Sequence, residues 1–180
     1  MADPWAMAKV GAEFSHQSAL FAWAAMAQSM GVVAASHPES YTTPGEAKKW
    51  ALHHPQAYPE LKWLHAIKNQ GHGDRIRGSR SKAEGVRTGV FDTFLPVPMR
   101  YLSSHCSFYV PDTSPLFIDG YAGLYIELKT PDRKTHKNGG ASDKQLEFQA
   151  DMRAMGYAAE VCHGWEAARD CLLTYLGHTT

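Results

Sequence analysis

Apolar positions along this chain follow two periods, and the switches between them predict the order of elements. From Glu13 to Met30 the run is rich in Ala, Leu, Met and Trp. It predicts a helix packing through Leu20, Phe21, Trp23 and Met26 and ending at Gly31. Leu61 to Ile67 predicts a first core strand. Thr88 to Pro96 is a second β-rich run, interrupted by one acid, Asp92. In Gly123 to Lys129 the residues Leu124, Tyr125, Ile126 and Leu128 leave no polar face, with Gly123 behind and Pro131 ahead. Such a run belongs in the middle of a sheet covered on both sides. Ser142 then opens a helix with Leu146, Phe148, Met152 and Met155 as its buried side and Gly156 as its end. Tyr157 to Cys162 predicts a strand. After Gly164, the residues Ala167, Ala168, Cys171, Leu172 and Tyr175 recur at helical spacing. Helix, three strands, helix, strand and a final helix make an α/β fold around a central mixed sheet. Two longer stretches interrupt this order. Val32 to Tyr58 reads as a connection with a short helical possibility at Glu46 to Leu52. Val97 to Gly120, with Pro98, Pro111 and Pro115, reads as an extended hairpin or flap inserted between the two acid-bearing strands.

The acids change the picture. Glu127 and Lys129 are two residues apart, so a strand aims both at one face. A buried charge costs several kcal/mol, as a rough figure, unless it is paired or binds a metal. The bland reading is an ion pair near a strand end; Asp92 alone reads as a turn or cap. If the two strands are neighbours, Asp92 and Glu127 converge on one divalent cation while Lys129 faces the same cleft. Carboxylate oxygens suit Mg²⁺ or Mn²⁺.

Length and composition narrow the class. The 180 residues suit one domain, 1–180, and the 44% hydrophobic content argues for a folded chain. Formal net charge is zero, so affinity for nucleic acid has to come from charge asymmetry. That asymmetry is clearest between Lys68 and Arg87. Lys68, Arg75, Arg77, Arg80, Lys82 and Arg87 stand there against Asp74 and Glu84, among open glycines. Leading into the Asp92 strand, they suit a phosphodiester backbone, although a solvated loop has the same composition. After Lys129, a second basic turn from Thr130 to Gly140 suits a phosphate grip at the mouth of the cleft, although solvation alone explains the same composition. Cys106, Cys162 and Cys171 form an odd count without Cys-x-x-Cys, which predicts a reducing cytoplasm and no zinc ribbon. His53 and His54 lack a spaced third ligand. His163 ends a strand, where approach to a substrate and a structural role are both open. No secretory leader is visible, and the most apolar segment, Ala19 to Ala27, is too short to span a bilayer.

Gly89-Val90-Phe91-Asp92, Leu124-Tyr125-Ile126-Glu127-Leu128-Lys129, Ser142-Asp143-Lys144-Gln145, and Gly156-Tyr157 through Val161-Cys162-His163-Gly164-Trp165 together resemble the VRR-NUC family. This is the virus-type replication-repair nuclease branch of the PD-(D/E)XK, restriction-endonuclease-like superfamily. The similarity runs from about Glu13 to Leu176. It implies a restriction-endonuclease-like core and a metal-dependent DNA endonuclease in an intracellular, phage or bacterial, setting. Asp92, Glu127 and the Leu128 carbonyl would hold Mg²⁺ or Mn²⁺, and Lys129 would act beside them. In the family an acid on the first helix reaches the metal, and Glu13-x-x-x-Gln17-x-x-Leu20 matches that pattern; Glu60 is the fallback. The competing reading of Glu13 is an acid favoured by the helix dipole. The family also brings Gln145 to the active site, whereas Ser142-x-x-Gln145 is the spacing of a capping box. The expectation is that one side chain cannot fully satisfy both. Two departures stand out: Phe91 where the family has Pro, and Lys68-Asn69-Gln70-Gly71 where it has Pro-Asn-Gly-Gly. Stand-alone members resemble Holliday-junction resolvases, which implies branched DNA and a homodimer. The alternatives are a non-catalytic nucleic-acid-binding module on the same fold, or a small-molecule or protein-binding domain in which Glu127 and Lys129 only pair.

Overall fold

The computed structural model of the chain describes residues 3–31, 58–67, 83–100 and 120–177. The short helix expected at Glu46 to Leu52, the basic residues from Lys68 to Lys82 and the body of the expected flap lie outside the described residues.

Helix α1 (Pro4–Ala8) is too short to show an apolar period. The Asp3 carboxylate caps it, accepting from Trp5 N at 3.0 Å. Helix α2 (Glu13–Met30) has the bounds its pattern predicts. Gly31 ends it at φ 79°, donating its N–H to Ala27 O. Next, the run expected as a strand from Leu61 to Ile67 divides. Pro59–Trp63 is a 3-10 turn, and only His65–Ala66 forms a strand, β1. Pro59 fixes the first φ of that turn, and Leu61 and Leu64 are both buried. Their spacing of three suits a helical turn, not a pleat.

Strand β2 is Thr93–Leu95, β3 is Met99–Arg100, β4 is Gly120–Tyr121, and β5 is Leu124–Lys129. Helix α3 (Asp143–Ala154), strand β6 (Ala158–His163) and helix α4 (Trp165–Tyr175) complete the order. The main sheet runs β1-β2-β5-β6, antiparallel through β5 and parallel between β5 and β6. Strands β3 and β4 pair antiparallel, so the excursion after Val97 has a hairpin at its base. The Tyr175 hydroxyl at the end of α4 donates to Val97 O at 2.6 Å and pins that base.

Both faces of β5 are covered, as its composition requires. Leu124, Ile126 and Leu128 join the core formed with Leu20, Trp23 and Ala27 of α2 and Ala168 and Leu172 of α4. On the other face Tyr125 stacks on Phe94 of β2, ring centroids 4.2 Å apart, and meets Phe148 of α3 edge-on at 5.1 Å. Phe91 is fully buried against Phe148. Of the residues expected on the buried side of α3, Leu146, Phe148 and Met152 are half-buried, but Met155 is 65% exposed. Met155 belongs to the C-cap, where the backbone leaves helical geometry and releases the side chain from the apolar stripe. Cys162 and Trp165 are in the core, as expected.

Candidate metal centre

The mixed sheet carries Glu127 and Lys129 at the C-terminal end of its central strand, and three other elements bring partners to them. Strand β2 starts one residue late for Asp92 to pair as a strand residue. Asp92 gives its carbonyl to Ile67 N, while its carboxylate accepts from Leu128 N at 3.2 Å. In the β2–β5 register Thr93 faces Ile126, so the place opposite Leu128 falls outside β2. The Lys129 carbonyl turns toward β6, where it accepts from Gly164 N at 2.8 Å. Strand alternation therefore turns the Leu128 N–H and C=O to the opposite edge, the Asp92 side.

Helix α2 supplies Glu13 from its first turn. Lys129 Nζ donates to Glu13 Oε1 at 2.8 Å and to Glu127 Oε1 at 2.6 Å. One oxygen from each of Glu13, Asp92 and Glu127 lies within 4.8 Å of the other two. Glu13, not Glu60, is thus the third acid of the cluster; Glu60 sits exposed in the turn before β1.

Helix α3 supplies Gln145, and here the sequence expectation needs correction. Gln145 Oε1 accepts from Ser142 N at 2.9 Å, while Ser142 Oγ accepts from Gln145 N at 3.3 Å, which completes the capping box. The Nε2 of the same side chain donates to Glu127 Oε1. A carboxamide has an acceptor end and a donor end, so the cap and the site share it without conflict.

These groups line one open cleft of about 500 Å³, together with Phe14, Gln17, Thr88, Gly89 and Val90. Its electrostatics are lopsided: three carboxylates surround one ammonium. Glu127 is 1% exposed, and its Oε2 has no hydrogen-bond partner. Burial first, then the nearby charge of Asp92, push its carboxyl up to about 7 against the pull of Lys129. Burial alone would lower the Lys129 ammonium, but the hydrogen bonds to Glu127 and Glu13 outweigh it and its pKa is raised. An orphaned buried carboxylate oxygen, two converging acids and an excess of negative charge fit a hard divalent cation.

Other expected residues lie elsewhere. Arg87 is exposed, next to Thr88 of the cleft wall. The basic turn expected at the mouth of this cleft borders another groove, lined by Pro131 and Lys134 together with Cys162, His163 and Cys171. The cause is the parallel β5–β6 pairing, which turns the chain after Lys129 toward β6. His163 does not line the acidic cleft; its Nε2–H donates to Gly139 O at 2.9 Å and ties that turn down. Sequence reasoning missed Thr88 and Phe14 as cleft residues, because neither interrupts an apolar pattern. Among the described residues, no helix is long and apolar enough to cross a membrane.

No protein-family model matches the chain, and no curated protein matches it in sequence. Among solved structures, one described as "VRR_NUC domain protein" matches with a TM-score of 0.52 at 16% identity, covering 92% of this chain and 88% of the other. The chain therefore has the mixed α/β, restriction-endonuclease-like fold of that structure, with Glu13, Asp92, Glu127 and Lys129 gathered at one end of its sheet.

Proposed function

We propose that this chain is a Mg²⁺- or Mn²⁺-dependent deoxyribonuclease that hydrolyses phosphodiester bonds, organised as one domain over residues 1–180. The observation that carries the reading is the unpartnered, buried Glu127 Oε2 beside Asp92 and Glu13. Asp92, Glu127 and the Leu128 carbonyl hold the ion, with Glu13 as the third acid. When bound there, the ion supplies polarisation of the phosphate and a lowered pKa for an attacking water. Lys129 stays an ammonium, because two carboxylates accept from it. It acts as a donor that orients water or stabilises charge developing at phosphorus, not as a base. Gln145 fixes the Glu127 carboxylate. Arg87, with Lys68, Arg75, Arg77, Arg80 and Lys82, holds the DNA backbone. The preferred substrate is branched DNA, four-way junctions in particular, cut by a cytoplasmic homodimer.

The test is incubation of the purified protein with Mg²⁺ or Mn²⁺ and a panel of junction, flap, nicked and linear DNAs. Asp92→Asn and Lys129→Ala should abolish cleavage and leave DNA affinity within several-fold. Full activity in either variant overturns the assignment. Salt-sensitive DNA binding without cleavage by the wild type supports the non-catalytic binding module instead.

A further inference from the structure

The cleft wall beside the carboxylates is not polar throughout. Phe14 follows Glu13 in the first turn of α2, lines the same cleft, and is 67% exposed. Isolated apolar side chains on a surface need no explanation. The position of this one does. The other large hydrophobic residues exposed among the described residues, Val10, Trp63, Tyr121 and Met155, do not line this cleft. Three residues on, Gln17 also lines it, and its carboxamide has no hydrogen bond among the described residues. Residues three apart on a helix are neighbours on its surface. An aromatic face and an amide without a partner among the described residues therefore stand together, next to the acid that reaches Lys129.

We propose that Phe14 and Gln17 form a nucleobase subsite. Phe14 stacks on the face of a base flanking the scissile phosphate, and the Gln17 carboxamide bonds the edge of that base. The inference rests on the nuclease reading and narrows its substrate class. In an intact duplex both faces of a base are covered by its neighbours, so only an unstacked base can meet Phe14. The substrate must then carry an unpaired or extruded nucleotide next to the cut, as single strands, flaps and opened junctions do. Stacking on an aromatic side chain is tolerant of base identity, so the subsite selects for DNA structure more than for sequence.

The cut is first mapped on single-stranded, branched and duplex DNAs with the wild type and Mn²⁺. 2-Aminopurine is then placed on either side of the mapped bond, and binding is followed in Ca²⁺. The wild type should quench one of the two probes. Phe14→Ala should lose that quenching and about tenfold in affinity, the lower part of the range for base–aromatic stacking, whereas Phe14→Trp keeps both. An abasic nucleotide at the same place should weaken the wild type by at least that factor and weaken Phe14→Ala by less, because only the Gln17 contact is then left to lose. Equal binding and cleavage by the wild type and Phe14→Ala, with unchanged melting temperatures, overturns the subsite and leaves the nuclease reading standing. So does independence of the two removals. A wild type that cuts none of the DNAs overturns the nuclease reading, and the subsite with it.

Discussion

Burial disfavours the ionised Glu127 carboxylate, so it needs company. In the metal-free protein its carboxyl is raised from 4.5 to about 7, by burial first and then by Asp92. The folded state therefore keeps a proton that the unfolded chain has released. That contribution to stability is fully present below about pH 4.5 and is lost as pH rises through 7. Its size is of order 3 kcal/mol. Urea titrations of the chelated protein should show stability falling between pH 5 and pH 8, with Glu127→Gln flattening the profile. A divalent cation needs the ionised carboxylate, so added Mn²⁺ should stabilise the wild type more at pH 8 than at pH 5. A chelated wild type as flat as Glu127→Gln would show that the carboxyl titrates normally.

Elements explain which parts of the site were legible in the sequence. Helix α2 and strand β5 could be read because each is an unbroken run, of helix-forming residues in one and apolar β-formers in the other, with a glycine or proline at its edge. Glu127 and Lys129 could be read because they break an apolar strand. Strand β1 could not, since Leu61 and Leu64 suit either a short strand or one 3-10 turn until Pro59 is seen to start the turn. Nor could Phe91. Standing where the family has Pro, it implies a change in loop stiffness, but the structure uses it to hold α3 against the sheet through Phe148. Gly89 does similar work from the other side: at φ +89°, a Cβ there would lie 2.7 Å from Lys144 Cβ. Gly89→Ala should cost about 1–3 kcal/mol from backbone strain, and more from displacing the start of α3. Cleavage should fall with it, because Gln145 moves too. Gly85→Ala is the control, since Gly85 has φ +91° and nothing within 4 Å. It should carry the strain and keep the activity. Equal activity in both variants would remove the link between α3 and the site.

At the scale of the molecule, zero formal charge means that the proposed DNA substrate would have to be held by local charge. Affinity should fall steeply with salt, in proportion to the phosphates contacted. Arg87→Ala should lower affinity evenly across sequences and reduce the slope of log affinity against log salt by about one. Titrations at several salt concentrations measure both, and an unchanged slope would release Arg87 from the interface. The sequence made the order of elements readable, and with it the meeting of Asp92 with Glu127. Periodicity alone did not bring Glu13 to Lys129 or Gln145 to Glu127, because those contacts depend on helix placement; the family resemblance implied that both residues reach the site, and the contacts are there.

The divided carboxamide of Gln145 has a consequence away from the cleft. One end senses Glu127 and the other closes the first turn of α3, so whatever immobilises Glu127 also slows the fraying of that turn. Amide hydrogen exchange at Lys144, Gln145 and Leu146 should therefore slow when Mn²⁺ is added to the wild type and stay unchanged in Gln145→Ala. The end of one surface helix thus becomes a spectroscopic gauge of occupancy at a site it does not line along most of its length.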